Sequence, residues 1–192
     1  MSHDQLIAEI KKGSQSAFRA LVEKFQSRVY NTCLSILQNE VEAEEAAQDV
    51  FIEVYRSIQH FRRDSKLSTW IYRIATTKSL ELIRKNKRQK RFAFLQSLTG
   101  NKDEKDIDPA GFDHPGVLME QQENAATLFK AIAELPETQK VAFTLHKVEG
   151  LPYQDICEIM ETSLSSVESL MFRAKKNLQI SLKHYYENNF KD

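Results

Sequence analysis

Apolar side chains recur at intervals of three and four residues through most of this chain, and that spacing limits its fold more than any other feature. Two stripes are clearest, at residues 18, 21, 22, 25, 29, 33, 36 and 37 and at residues 43, 46, 47, 50, 51, 54, 55 and 58. Such spacing places the apolar side chains on one face of an α-helix. We therefore predict amphipathic helices that share a core.

Further helices are predicted on both sides of a region around residue 100. A third helix is expected to be capped by Ser68 or Thr69 and to bury Trp70, Ile71, Ile74, Ala75, Leu82 and Ile83. A second helical unit follows, at 118–134 (with Leu128, Phe129 and Ile132 apolar), at 137–149 between Pro136 and Gly150, after Pro152, and from 164 to about 186.

The composition supports an all-α fold with two small domains. Only five glycines and four prolines occur among 192 residues, which argues against a turn-rich β fold and against a glycine-rich phosphate loop. Gly, Pro and Asp concentrate between the two helical units without helical periodicity, as in a flexible acidic linker. The predicted organisation is a domain at 1–95, a linker at 96–117 and a domain at 118–192.

Nothing in the sequence predicts a metal site, a cofactor or membrane insertion. Cys33 and Cys157 stand alone and are expected to be buried thiols, and the five histidines are scattered. The chain contains no apolar run long enough to span a bilayer, and its first residues do not resemble a signal peptide. We expect a cytoplasmic protein.

The zero net charge hides a strong asymmetry. Residues 1–94 carry 17 bases and 11 acids, whereas residues 95–134 carry three bases and eight acids. Residues 66–91 hold nine bases and a single acid, Glu81. A block of this kind requires a partner or solvent.

The C-terminal part has the layout of a helix-turn-helix. A short helix with Ile156, Ile159 and Met160 inside is followed by a polar break at 161–163 and a longer helix. With Val167 at the centre of the buried side, Leu170, Met171, Ala174 and Leu178 gather beside it, and Phe172 points outward. A plain helical hairpin with solvated charges is the alternative that this pattern leaves open.

The residues themselves favour the DNA-binding interpretation. The segment LPETQKVAFTLHKVEGLPYQDICEIMETSLSSVESLMFRAKKNL resembles the promoter-recognising C-terminal domain of bacterial sigma factors, in particular the extracytoplasmic-function group. This resemblance implies that the second helix contacts the -35 promoter element. The chain has Glu168, Leu170 and Phe172 where the family usually has Lys, Arg and often His, which weakens the positive face. The implied -35 residues are Ser165, Ser166, Glu168, Ser169, Phe172, Arg173 and Lys176.

The first domain shares the resemblance. The segment EAEEAAQDVFIEVYRSIQHFRRDSKLSTWIYRIATTKSLELIRKNKR is similar to the sigma-factor region that binds core RNA polymerase and melts the -10 element. By that similarity Gln48, Asp49 and Glu53 bind the β′ clamp helices, where an acidic face suits an arginine-rich helix pair. A solvated acidic face is the alternative.

Melting the -10 element requires stacking surfaces or pockets for unpaired bases and positive charge for phosphates. Phe61, Trp70 and Tyr72 can supply aromatic surface, although Trp70 is equally suited to a core, and the loop 62–68 can form a base pocket. Thr77 stands where the family often has Asn. The implied -10 residues are Phe61, Arg62, Arg63, Ser65, Lys66, Thr69, Trp70, Arg73, Thr77, Lys78, Arg84, Lys85 and Arg88, with Lys87, Lys90 and Arg91 as further phosphate contacts.

These patterns leave three functions to compare. A sigma factor explains both domains, whereas a stand-alone helix-turn-helix regulator leaves the first domain unexplained. An enzyme acting on nucleic acid is disfavoured because no carboxylate pair, Cys/His pair or Gly-rich loop lies in a catalytic context. The resemblance implies three partners and no small-molecule substrate: core polymerase at its β′ clamp helices and β flap, promoter DNA, and an anti-sigma factor.

Overall fold

The computed structural model describes residues 3–98 and 119–189, and within them the chain is helical with short connections. The helices are α1 (His3–Lys11), α2 (Gln15–Leu37), α3 (Glu40–Ser57), α4 (Leu67–Leu98), α5 (Met119–Ala133), α6 (Glu137–Phe143), α7 (Tyr153–Met160) and α8 (Leu164–Asn189). The all-α prediction is confirmed. Residues 99–117, which make up most of the predicted linker, lie outside the described residues. Helix α4 ends at Leu98 and therefore includes the first three residues of the predicted linker, 96–98.

The N-terminal helices α1 to α4 surround one core. Leu21, Val29, Val50 and Val54 are completely buried there, and Ile71 contributes from α4. Both predicted stripes therefore face inward, except that Tyr55 is 57% exposed and contacts Phe18 only edge to face. Helix α1 was not predicted, although Leu6, Ile7 and Ile10 on its inner face are buried in the same core.

The starts of α2 and α3 are capped by side chains. Ser14 Oγ accepts a hydrogen bond from the Ala17 N–H at 3.3 Å, and Asn39 Oδ1 accepts one from the Glu42 N–H at 2.9 Å. The predicted cap of α4 by Ser68 or Thr69 is wrong, because α4 begins at Leu67 and both residues lie inside its first turn. The α2 and α3 caps satisfy backbone donors that a helix start leaves without partners.

The C-terminal helices α5 to α8 form the second unit. Ala131, Ile132 and Leu135 pack against Ala174 and Leu178 of α8. Leu128, one of the apolar residues of the predicted helix at 118–134, is 41% exposed. The predicted helix at 137–149 changes after α6 into a π-helical turn over Thr144–Val148, which ends at Gly150 with φ +68°. This turn lets Leu145 remain buried while the chain bends towards α7.

The two units contact each other. Ile36 of α2 and Tyr72 of α4 belong to the same buried cluster as Val141, Leu145 and Ile156 of the C-terminal unit. Helix α4 packs against α7, and α2 packs against the π-helical turn. No helix among the described residues is long and apolar enough to cross a membrane.

Candidate nucleic-acid and polymerase interfaces

The acidic side of α3 is open to solvent. Gln48 and Asp49 are exposed, and Glu53 is partly exposed, with its carboxylate 3.6 Å from the Lys78 ammonium of α4. Asp49 lines an open groove of 410 Å³ between α3 and α4, together with Lys85 and Arg88. The three residues predicted to bind polymerase thus lie on the same helix, but Glu53 already has a cationic neighbour.

The loop between α3 and α4 begins with a buried aromatic pair. Phe61 is 6% exposed and packs against Trp70, with 4.8 Å between the ring centroids. Phe61 is therefore turned towards the core, whereas Trp70 is half-buried. Tyr72 is 2% exposed, so it offers no aromatic surface in this arrangement.

The rest of the loop is accessible and lined by cavities. Arg62 and Arg63 are exposed beside a cavity of 570 Å³, and Lys66 and Ser65 line a second cavity of 490 Å³. Arg63 adopts a left-handed backbone conformation with φ +64° and lies 3.5 Å from the Asp4 carboxylate. A recess beside exposed cations suits an unstacked base and its phosphate.

Helix α4 carries the basic residues on several sides. Arg84, Lys85 and Arg88 are exposed, as are Lys87, Lys90 and Arg91. Thr77 is exposed, Thr69 is buried, and Lys78 is partly exposed between Glu53 and Glu81. The predicted -10 residues on α4 therefore differ in access: those along the helix, Thr77, Arg84, Lys85 and Arg88, are exposed, whereas Thr69 at its start is buried.

The helix-turn-helix is formed as predicted. Helix α7 ends at Met160 and is followed by Glu161, which has φ +51°. Ser163 Oγ accepts a hydrogen bond from the Ser166 N–H at 3.2 Å at the start of α8. Ile156 and Ile159 are buried, and Met160 is only partly buried. On α8, Val167, Met171, Ala174 and Leu178 face inward, and Leu170 is partly buried.

The outward side of α8 matches the predicted -35 residues. Phe172 is 71% exposed, which confirms its outward position. Ser166 is partly exposed, and the others are exposed, namely Ser165, Glu168, Ser169, Arg173 and Lys176. An accessible helix face with hydroxyls near its start and cations further along can contact base edges and phosphates in the major groove.

A polar network joins the two units, and the sequence analysis did not find it. The Glu149 carboxylate accepts hydrogen bonds from the Tyr72 hydroxyl at 2.7 Å and from the Thr32 hydroxyl at 3.0 Å. Burial and the adjacent Glu149 carboxylate together raise the pKa of Tyr72 well above its usual range. The hydroxyl is therefore a donor at neutral pH.

Ion pairs surround this network. Lys66 contacts both carboxylate oxygens of Asp155 at 3.0 Å, and Lys87 lies 2.6 Å from Glu137. Arg73 lies 3.0 Å from the Glu161 carboxylate and also donates to the Glu158 carbonyl. The excess of acids between residues 135 and 164, five against two bases, was the one sequence signal available for these contacts.

The two cysteines differ. Cys33 is completely buried, as predicted, whereas Cys157 is only partly buried. Burial raises the pKa of the Cys33 thiol to about 11. Among the described residues no group of acidic, His and Cys side chains could hold a metal ion.

Comparisons with known proteins identify the class. Residues 21–89 match the family Sigma-70 region 2, and residues 126–178 match Sigma-70, region 4. The chain is 32% identical to the RNA polymerase sigma-H factor of Pseudomonas aeruginosa over 93% of this chain and 92% of that protein. It is 30% identical to the ECF RNA polymerase sigma-E factor of Escherichia coli K12, over 90% of this chain and 91% of that one.

Solved structures share the fold. CnrH in complex with the cytosolic domain of CnrY superposes with a TM-score of 0.68 at 18% identity, over 93% of this chain and 96% of that one. The sigma factor RpoE of Bartonella quintana, in complex with the anti-sigma factor NepR, gives 0.65 at 23% identity, over 86% and 96%.

With two sigma regions in order, the chain is a promoter-directing transcription initiation factor, not an enzyme. The chain belongs to the extracytoplasmic-function group of RNA polymerase sigma factors. A stand-alone regulator would need only the second match, and no comparison supports it.

Proposed function

We propose that this sigma factor binds core RNA polymerase through the acidic side of α3, with Asp49 as the central charge partner of the β′ clamp helices. Asp49 is exposed and lies off the apolar stripe of α3, so its charge is available to a partner. A carboxylate facing arginines forms short, charge-assisted hydrogen bonds, which give an interface both strength and orientation. Gln48 and Glu53 flank it.

The -10 element is bound by the α3–α4 loop and the basic α4. The cavities beside Arg62 and Ser65 receive an unstacked base, and the accessible part of Trp70 contacts a neighbouring base. Arg84, Lys85 and Arg88 contact phosphates of the displaced strand. Because melting proceeds without ATP, these contacts must offset the free energy of unpairing.

The -35 element is bound by the outward side of α8 in the major groove. Ser165 and Ser169 near the helix start contact base edges, and Arg173 and Lys176 contact phosphates. The accessible face of α8 is the observation that carries this assignment most directly, because all seven predicted residues are at least partly exposed.

The partners follow from these surfaces. The C-terminal domain also contacts the β flap of polymerase, so that both promoter elements are held at a fixed separation. An anti-sigma factor regulates the chain, as the complex of the sigma factor RpoE with the anti-sigma factor NepR illustrates for a protein of the same fold. The protein acts in the cytoplasm, with polymerase.

Run-off transcription tests the proposal. Purified chain and core polymerase are incubated with a library of promoter fragments, and transcript 5′ ends are sequenced. We expect start sites that depend on the chain and share two sequence elements, one at -35 and one at -10. Chain-dependent transcripts without a common -10 element, or none despite binding to core polymerase, would contradict the assignment.

A further inference from the structure

The N-terminal helix α1 borders both cavities beside the α3–α4 loop. Lys11, its last residue, lines the cavity of 570 Å³ beside Arg62. Asp4 and Ile7 line the cavity of 490 Å³ beside Ser65. A helix that lies outside the loop therefore forms part of the wall of both recesses that are proposed to receive an unstacked base.

Two hydrogen bonds that run in opposite directions join the end of α1 to the start of this loop. The Lys11 ammonium donates to the Phe61 carbonyl at 2.9 Å, and the Gln59 side-chain amide donates to the Lys11 carbonyl at 3.0 Å. The last carbonyls of a helix have no donor within the helix, so the bond from Gln59 also satisfies an acceptor at the end of α1. Because both acceptors are backbone carbonyls, the two bonds fix the main chain of each element.

The carbonyl that Lys11 holds belongs to the residue where the loop begins. Phe61 directly follows the 3-10 turn Ile58–His60, and its ring is 6% exposed. The same ring packs against Trp70, with 4.8 Å between the centroids, and Trp70 is proposed to contact a base. A shift of the Phe61 carbonyl would therefore move Arg62, the next residue, relative to the Trp70 ring.

The loop needs such an anchor because its backbone is strained beyond Phe61. Arg63 has φ +64°, a conformation that residues other than glycine rarely adopt. Its ion pair with Asp4 joins side chains that are 49% and 75% exposed, and exposed pairs contribute little. A strained backbone persists only where neighbouring contacts hold it, and the partly buried bond from Lys11 is such a contact.

We propose that Lys11 is a positioning residue for base capture: its ammonium holds the Phe61 carbonyl, and α1 thereby sets the position of the loop and the base preference within the -10 element. This inference rests on the proposed function. Lys11 acts through the loop and does not contact DNA. Its loss therefore weakens discrimination between bases and leaves the phosphate contacts of α4 in place.

The test uses holoenzyme made from the full chain and core polymerase, on a transcribed promoter whose -10 element is randomised. Each template carries a transcribed barcode, so sequencing gives the ratio of preferred to other bases at each position. Lys11→Met removes the ammonium and keeps an unbranched apolar side chain. We expect the ratio to fall about fivefold at one or two -10 positions, the effect of losing one hydrogen bond, with the -35 preference unchanged. Lys11→Arg keeps a donor and should restore the preference.

Two further variants isolate the hydrogen bonds from net charge. Lys12→Met removes the same charge from the adjacent residue, whose ammonium pairs with Glu9 at 2.8 Å, and should keep the wild-type preference. Gln59→Met removes the second bond without changing charge and should weaken the preference at the same positions as Lys11→Met. Thermal melts verify that each variant is folded.

The outcomes are distinct. An unchanged -10 preference in Lys11→Met, an equal loss of transcription from all -10 sequences, or the same change in Lys12→Met overturns the positioning role. A slope of log K against log salt that is smaller by about 0.7 to 0.9 in Lys11→Met than in Lys12→Met indicates a direct phosphate contact and also overturns it. Failure of the proposed function appears in the wild-type holoenzyme, as absence of promoter-directed transcripts or of any -10 preference.

Discussion

At the scale of single residues, exposure decides what each side chain can do. Phe172 and Tyr72 are both aromatic and both lie in regions proposed to bind DNA, yet Phe172 is exposed and Tyr72 is buried. Neither outcome follows from residue type, since aromatic rings serve equally in cores and in stacking surfaces. The same distinction separates Cys33 from Cys157.

The Cys33 thiol should be unreactive in the folded protein. Its pKa is raised from 9.0 to about 11 by burial, so at about pH 8 almost no thiolate is present. The protonated Cys33 thiol contributes its full share to the stability of the folded state below pH 9, and this contribution is lost as the pH rises through 11. Iodoacetamide labelling with peptide mass spectrometry should modify Cys33 only after denaturation. Rapid labelling of the native protein at Cys33, at a rate similar to Cys157, would contradict this.

Replacing Phe172 by His should alter promoter choice without destabilising the fold. An exposed side chain contributes little to the core, so the free energy of unfolding should change by no more than about 0.5 kcal/mol. An apolar ring can contact a thymine methyl group in the major groove, and imidazole does so less well. Thermal melts and transcription from -35 variants with thymine replaced measure both effects. A loss of several kcal/mol with unchanged base preference would place Phe172 in the core.

At the scale of helices, α3 and α4 each have one side that packs in the core and another that carries charged side chains. The inner side of each contributes to the N-terminal core, and the outer sides carry charges of opposite sign. Glu53 and Lys78 lie where these outer sides meet. Charge changes away from that contact should therefore affect partners more than folding.

Asp49→Lys should abolish association with core polymerase and leave the helical content unchanged. In the proposed binding mode, the exposed carboxylate is replaced by an ammonium group that repels the arginines of the clamp helices. Pull-down with core polymerase and far-UV circular dichroism measure the two effects. Glu23→Lys, an equal charge reversal on the exposed side of α2, serves as the control and should still bind. Wild-type binding by Asp49→Lys would exclude this face of α3.

Neutralising Arg84, Lys85, Lys87 and Arg88 together should flatten the salt dependence of promoter binding by the holoenzyme. Each lost phosphate contact removes about 0.7 to 0.9 from the slope of log K against log salt. Lys87 also pairs with Glu137, so its neutralisation has a second effect, on the contact between the units. The triple variant without Lys87 separates the two. An unchanged slope would indicate that these charges serve solubility.

At the scale of the whole molecule, the two units share a buried apolar cluster as well as polar contacts. Ile36 is 1% exposed and lies in the cluster of Val141 and Leu145, not in the N-terminal core. Its packing energy therefore stabilises the joined arrangement. This gives the contact an apolar part that salt does not weaken.

Ile36→Ala should destabilise the contact between the units more than it destabilises the fold of either unit. Truncating a buried isoleucine costs about 2 to 5 kcal/mol, and here the lost contacts are those between α2 and the C-terminal unit. Calorimetry should show two separated transitions, and scattering should show a larger radius of gyration. Val29→Ala, which lies in the N-terminal core alone, should lower stability without this expansion. Identical behaviour of the two variants would contradict the assignment.

The sequence by itself determined most of the helices and the two sigma regions. Apolar residues at intervals of three and four predict the helices and their buried faces, because helical geometry is local. The clearest examples are the stripes at 18–37 and 43–58 and the residues around Val167. The outward position of Phe172 follows from the same periodicity. The missed helix α1 carries a usable local signal too, in Leu6, Ile7 and Ile10 before Gly13.

Only the tertiary structure decided how the two units meet. Glu149 is separated from Thr32 by 117 residues and from Tyr72 by 77, and no local pattern specifies such a pairing. The burial of Tyr72 and Phe61 and the pairing of Lys66 with Asp155 depend on packing between distant helices. Periodicity predicts which face of a helix is buried, but not which helix packs against that face. That choice depends on the shape and charge of surfaces that are far apart in the sequence and come into contact only in the folded chain.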